Sequence, residues 1–211
     1  MMRPDQYTEV VRRRLYAARA RVTEEQRLGP GTALVGLLSD TVALSPVTLC
    51  LAVTRAEVAT APMLRDFCGH AAAHTRAVVG GGVGLLEGAC TIAAVVAVHS
   101  DPPAQAAASA KTAVGFGTML RPVLVDLSTG TVHTWTGTRL LGLAAMGYIR
   151  DSVRRLLPPP GEALAELGGP TRPVGPPHPP GPSGHDGRFG PRPQPPGHWP
   201  PGPPPPPRRG R

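Results

Sequence analysis

Residues 121–137, Arg-Pro-Val-Leu-Val-Asp-Leu-Ser-Thr-Gly-Thr-Val-His-Thr-Trp-Thr-Gly, carry the clearest structural signal in the chain. Val123 to Leu127 and Thr131 to Trp135 are two short strands around Ser128-Thr129-Gly130, and the glycine falls where a tight hairpin needs positive φ. A hairpin at this point predicts a largely antiparallel sheet, and the surrounding pattern extends it. Residues 46–54 (PVTLCLAVT) alternate as a strand with Val47, Leu49, Leu51 and Val53 on one side, and Pro46 suits the start of such a strand. Residues 89–98 (ACTIAAVVAV) are nearly all apolar, which predicts a strand buried on both faces. Residues 32–38 (TALVGLL) fit either a strand or a helical turn.

Helical spacing occupies the rest. Residues 5–27 predict one amphipathic helix, with Val10, Val11, Leu15, Ala18 and Val22 on its stripe and the Gly29-Pro30-Gly31 turn as its end. Thr60 is a fitting N-cap for a second helix that has Pro62 in its first turn and ends at Gly80-Gly81-Gly82. Asp101-Pro102-Pro103 turns into an alanine-rich, helical or loose stretch. Residues 138–157 predict a last helix, with Arg150, Arg154 and Arg155 near its C-terminal end, where cations are favoured. Pro158-Pro159-Pro160 stops it.

The expectation is therefore a single α+β domain over residues 1–157. It has a mainly antiparallel sheet of four or five strands packed by two or three helices. Beyond it, residues 158–211 hold 21 of the 28 prolines and 11 of the 26 glycines. That composition predicts a disordered tail rather than a second core. Lysine occurs once, asparagine not at all, and arginine 21 times. The pattern is that of a GC-rich genome, so the abundance of Arg and Pro is no functional signal in itself.

The formal net charge is +8. Such a balance favours weak, non-specific association with nucleic acid. The basic run Arg12, Arg13, Arg14 on the first helix is the natural place for phosphate contacts, tested by steep salt dependence. Only 4% of residues are aromatic, which argues against a base-stacking platform. The N-terminus is polar and Arg-rich, unlike a secretory leader, and the longest apolar run, Val83 to Val98, is interrupted by Glu87 and falls short of a membrane span. With three widely spaced cysteines, the chain is expected to be intracellular and without a disulfide framework.

Catalytic signatures are missing from the pattern. No Gly-x-Ser-x-Gly elbow occurs, and Gly80–Gly84 follows a helix without the lysine of a phosphate loop. Neither a catalytic residue nor a cofactor is assigned. The nearest approach to a metal or Cys/His constellation is Cys68, His70 and His74, since two histidines four apart share a helix face. The zinc-protease pattern would need Glu where Ala71 stands. Two features point to protein partners. His133 and Trp135 alternate along the hairpin strand, which predicts a shared, half-exposed face. Pro203, Pro206 and Arg208 fit the PxxPxR order read by SH3-type grooves.

Two stretches resemble the small accessory nuclear proteins of alphaherpesviruses, the family encoded beside the immediate-early RNA-processing regulator. One is Leu49–Phe67 (LCLAVTRAEVATAPMLRDF), a strand ending in Ala-Val followed by Thr-x-Pro opening a helix. The other is Gly130–Leu157 (GTVHTWTGTRLLGLAAMGYIRDSVRRLL), a hairpin strand leading to Met-Gly and an amphipathic helix. Together they cover about half of the domain; the Pro-rich tail departs from the family pattern. The resemblance implies a non-enzymatic viral accessory protein, associated with the host nucleus or the virion tegument. The alternative is a cytoplasmic protein of a GC-rich, actinobacterial-type organism, binding metal or acting as an enzyme through Cys68, His70 and His74.

Overall fold

Three strands at the centre of the sheet run parallel. The structure, a computed structural model, describes residues 2–42, 45–79, 88–111, 114–115, 118–137 and 143–168. Strand β3 (Ser45–Ala59) pairs with β4 (Gly88–Ser100) from Val47↔Gly88 to Ala59↔Ser100. Strand β4 in turn pairs with β6 (Thr118–Asp126) from Ala89↔Thr118 to Ala97↔Asp126. Parallel neighbours cannot be joined by a hairpin and need a crossover. Helices α2 (Ala61–Val79) and α3 (Pro102–Ser109) supply the two crossovers. Thr60 Oγ1 accepts from Met63 N at 3.4 Å and Asp101 Oδ1 from Ala104 N at 2.6 Å, so each helix is capped where its strand ends. Both crossovers cover the same face of the sheet, so β3, β4 and β6 advance in one direction.

The flanks are antiparallel. Strands β1 (Arg21–Leu28) and β2 (Gly31–Val42) extend the sheet beyond β3. On the far side β5 (Val114–Gly115) and β7 (Thr131–Thr134) both pair with β6. The path runs β1-β2-β3-β4-β6-β5, six strands, with β7 beside β6 off that path. The α+β class holds. The sheet is nevertheless larger than four or five strands, and its centre is parallel. The hairpin that suggested an antiparallel sheet is real, with Gly130 at φ 70°, but it forms only one margin.

Strand alternation divides the core in two. Leu49, Leu51, Val53, Ile92, Ala94, Val96, Val123 and Val125 face α1 (Pro4–Ala17), α4 (Leu143–Leu156) and α5 (Pro160–Gly168). Cys50, Ala52, Ala93, Val95, Ala97 and Leu124 face α2 and α3. The sheet is thus sandwiched between two helical layers, which is why β4 is almost wholly apolar from Ala89 to Val98, Thr91 excepted. No helix among the described residues is long and apolar enough to cross a membrane.

Two boundaries differ from the sequence expectation. The first helix stops at Ala17, ten residues short of residue 27. Arg19 N donates to Tyr16 O at 2.9 Å and Ala20 N to Leu15 O at 3.0 Å. This is a Schellman end, with Arg19 in the left-handed position at φ 57°. Residues 21–28 then gain more from backbone pairing with β2 than from further helix. Val22 still packs on the α1 side, and a bulge between Thr23 and Gln26 carries Glu25 at φ 55°. The second difference is at the C-terminal end. The compact unit runs from Met1 to Pro170 rather than to Leu157. Pro160 stands first in α5, where its missing N–H costs nothing, so the proline run that ends α4 also begins α5. Residues 169–211, which include most of the expected disordered tail, lie outside the described residues, as do 138–142 of the expected last helix.

Helix α1 rests on the sheet through Leu15, fully buried, over Gly36 of β2, where an added Cβ would collide with Leu15 Cδ2. Replacing Gly36→Ala should therefore cost about 1–3 kcal/mol of stability. Replacing Arg19→Gly should instead raise stability by about 1 kcal/mol, since glycine tolerates the left-handed conformation. Urea denaturation midpoints of the two variants check both signs.

Candidate functional site

In sheets with parallel strands, ligands gather at the carboxyl ends of the strands. Here that end of β4 and β6 carries Ser100, Asp101, Gln105 and Asp126. Asp126 is 1% exposed. Its Oδ1 accepts from Ser128 N at 2.9 Å, Ser128 Oγ at 2.6 Å and Thr129 N at 3.0 Å, and its Oδ2 accepts from Ser100 Oγ. Gln105 Nε2 donates to Ser100 Oγ at 3.1 Å. Burial pushes the carboxyl pKa up, but the bonds from Ser100, Ser128 and Thr129 outweigh it and hold it at about 2. The group is an ionised acceptor whose oxygens are engaged in fixing the β6–β7 turn to β4.

The folded pKa lies below the ordinary value of 3.8, so Asp126 contributes stability above about pH 4. That contribution, about 2 kcal/mol, is lost as pH falls through about 2. Urea midpoints should drop over this window, and Asp126→Asn should be less stable at pH 7 with a flatter acid limb.

Cys68, His70 and His74 share α2 but not a face. Cys68 is 5% exposed in the layer between α2 and the sheet, and burial pushes its thiol up to about 12. His70 is exposed, and its ring lies over Gly29 in the β1–β2 turn, where φ is 66° and an added Cβ would strike the imidazole. His74, one turn on, is half-buried. Among the described residues no group of three His, Cys, Asp or Glu is placed to hold a metal. The expected constellation is thus not brought together: residues two apart on a helix point about 200° apart. Cys90 is likewise buried, with its thiol pushed up to about 12, and Cys50 is raised by burial despite a bond from Thr75.

The basic helix is neutralised in place. Arg12 Nη1 meets Glu9 Oε2 at 2.5 Å and its Nε meets Glu24 Oε1 at 3.3 Å, while Arg13 Nε meets Glu9 Oε1 at 2.9 Å. Arg14 reaches farthest. It donates to Glu162 Oε1 at 2.6 Å, to Glu166 and to the Arg155 carbonyl at 2.7 Å, with its side chain 18% exposed. The run expected to contact phosphates is instead occupied by carboxylates, and Arg14 joins α1, α4 and α5. Tyr7 Oη seconds it by donating to Pro158 O at 2.6 Å. Removing the guanidinium in Arg14→Gln leaves two carboxylates facing each other and should cost about 2 kcal/mol. Limited proteolysis should then cut between α4 and α5 faster than in the parent chain.

On the hairpin, His133 stands opposite Leu124, whose side chain lies in the α2/α3 layer. Its Nε2 is buried and lacks a hydrogen-bond partner among the described residues. Trp135 follows the end of β7, half-buried, with the Arg121 guanidinium 5.1 Å from its ring centre. Arg121 Nη1 also donates to Trp135 O. Arg121 is 2% exposed and alternates with Val123 and Val125, which face α1 and α4. The two hairpin residues therefore have different neighbours. Sequence reading passed over Arg121, although a charge at an inward position of an alternating strand was the available signal. The tail residues Pro203, Pro206 and Arg208 lie outside the described residues. No family model matches the chain, nor does any curated protein or solved structure.

Proposed function

We propose that this chain is a non-enzymatic interaction protein whose folded unit serves as a scaffold and whose partner contacts lie in the hairpin margin and the Pro-rich tail. The observation that carries this reading is the use made of its reactive side chains. Asp126, Arg14, Arg121 and Cys68 are all spent on joints between elements: a strand–turn bond network, a three-helix clamp, a cation–aromatic stack and core packing. Groups poised to change state near neutral pH mark many catalytic sites, and an Asp held at about 2 and thiols at about 12 are not such groups.

The setting we propose is the one implied by the family resemblance, an accessory protein of a GC-rich herpesvirus acting in the infected-cell nucleus or the virion. Within it, Pro203, Pro206 and Arg208 would dock on an SH3-type groove, because a pre-formed polyproline helix lowers the entropy cost of binding.

Binding to an array of purified SH3 domains tests the reading. At least one domain should bind the full chain, and Pro203→Ala with Pro206→Ala and Arg208→Ala should weaken it about ten-fold or more without changing the urea midpoint. Stoichiometric zinc in the purified protein, lost in a His70→Ala, His74→Ala variant, would overturn the non-enzymatic assignment in favour of a metal protein.

A further inference from the structure

Beside the C-terminal end of α2, the sheet carries an open concavity of about 460 Å³. Its polar lining is Arg19, Arg21, Ser39 and Thr48, and its apolar lining is Leu37, Val78 and Val79. Strand register explains the grouping. Arg21 pairs with Leu37 across β1 and β2, and Ser39 pairs with Thr48 across β2 and β3. Leu37 packs against the α2/α3 layer, so its cross-strand partner Arg21, Ser39 two residues on, and Thr48 opposite Ser39 fall on that same face. The end of α2 closes one side and leaves Val78 39% exposed.

Charge sets this concavity apart. The groove between α1, α4 and α5 places Asp151 and Glu162 among its arginines, and the hollow at the β1 bulge places Asp5, Glu24 and Glu25 beside Arg12 and Arg55. Among the described residues, the lining of the α2-end concavity has two arginines, two hydroxyls and no carboxylate. Among the described residues neither Arg19 nor Arg21 makes an ion pair. The C-terminal dipole of α2 opposes an anion with about half an elementary charge, which two guanidiniums outweigh. The third observation is backbone conformation. Arg19 occupies the left-handed helix-end position at φ 57°, where glycine is the residue without strain. A long cationic side chain is thus held at a backbone cost, pointing to a use for its charge.

We propose that this concavity binds an amphiphilic oxyanion, with Arg19, Arg21, Ser39 and Thr48 holding a carboxylate or phosphate head and Leu37, Val78 and Val79 receiving a short apolar tail. The full chain, isotopically labelled, is titrated at low ionic strength with octyl phosphate, octanoate and inorganic phosphate, following the amides of Leu37, Thr48 and Val78. Either octyl compound should bind saturably and more tightly than inorganic phosphate. Preference for octyl phosphate would indicate a phospholipid-type head, and preference for octanoate a fatty-acid-type head. Arg21→Gln should weaken binding about ten-fold. Arg19→Gly should do the same while raising the urea midpoint, which separates loss of the ligand contact from loss of the fold. Absence of saturable binding by both octyl compounds, unchanged affinity in both variants, or inorganic phosphate binding as tightly as octyl phosphate would each overturn the proposal.

Discussion

Everything in this fold follows from the burial of β4 between two parallel neighbours. From Ala89 to Ala97 the strand is shielded on both faces and paired on both edges. Such a strand has no surface on which to place a polar side chain, and Thr91 is tolerated because its hydroxyl donates to Thr75 Oγ1 at 2.8 Å. Parallel pairing forces the chain over the sheet twice, giving α2 and α3. One covered face leaves the other apolar face open, and α1, α4 and α5 cover it. The alanines at 93, 94 and 97 keep the layers close, at the expense of large apolar side chains in the centre of the sheet.

Much of this was legible locally. The alternation of β3, β6 and β7, the continuous apolar run of β4 and the cap at Thr60 are properties of neighbouring residues. Strand direction was not, because Ala93 gives no sign that Ala52 and Pro122 will lie on its two sides, or which way round their strands run. The end of α1 was hidden by Arg19, which fills a position that glycine would have announced. Val22 deepened the ambiguity, since it continues both the helical stripe and a strand. Helix α5 was hidden in a proline-rich context whose prolines read as a stop and serve equally as a start.

The candidate site divides in the same way. The separation of Cys68 from His70 could be read from helix geometry alone, since residues two apart do not face each other. The fate of Arg14 could not, because its counterions Glu162 and Glu166 are 148 and 152 residues away. Nor could the concavity at the end of α2, which joins residues of three strands and a helix only after β1 has replaced the expected helical turn.

The clamp on Arg14 also sets an order of assembly. Within the folded unit, helix α1 leaves the ribosome before every other element and α5 leaves last. At roughly 5–20 residues per second, the 148 residues between Arg14 and Glu162 take about 7–30 seconds to synthesise. Over that interval Tyr7 lacks the Pro158 carbonyl and Arg14 lacks both carboxylates. The first helix of the unit is completed by its last, so this unit cannot mature from its first helix onward as translation proceeds. The joint closes only after synthesis has passed α5.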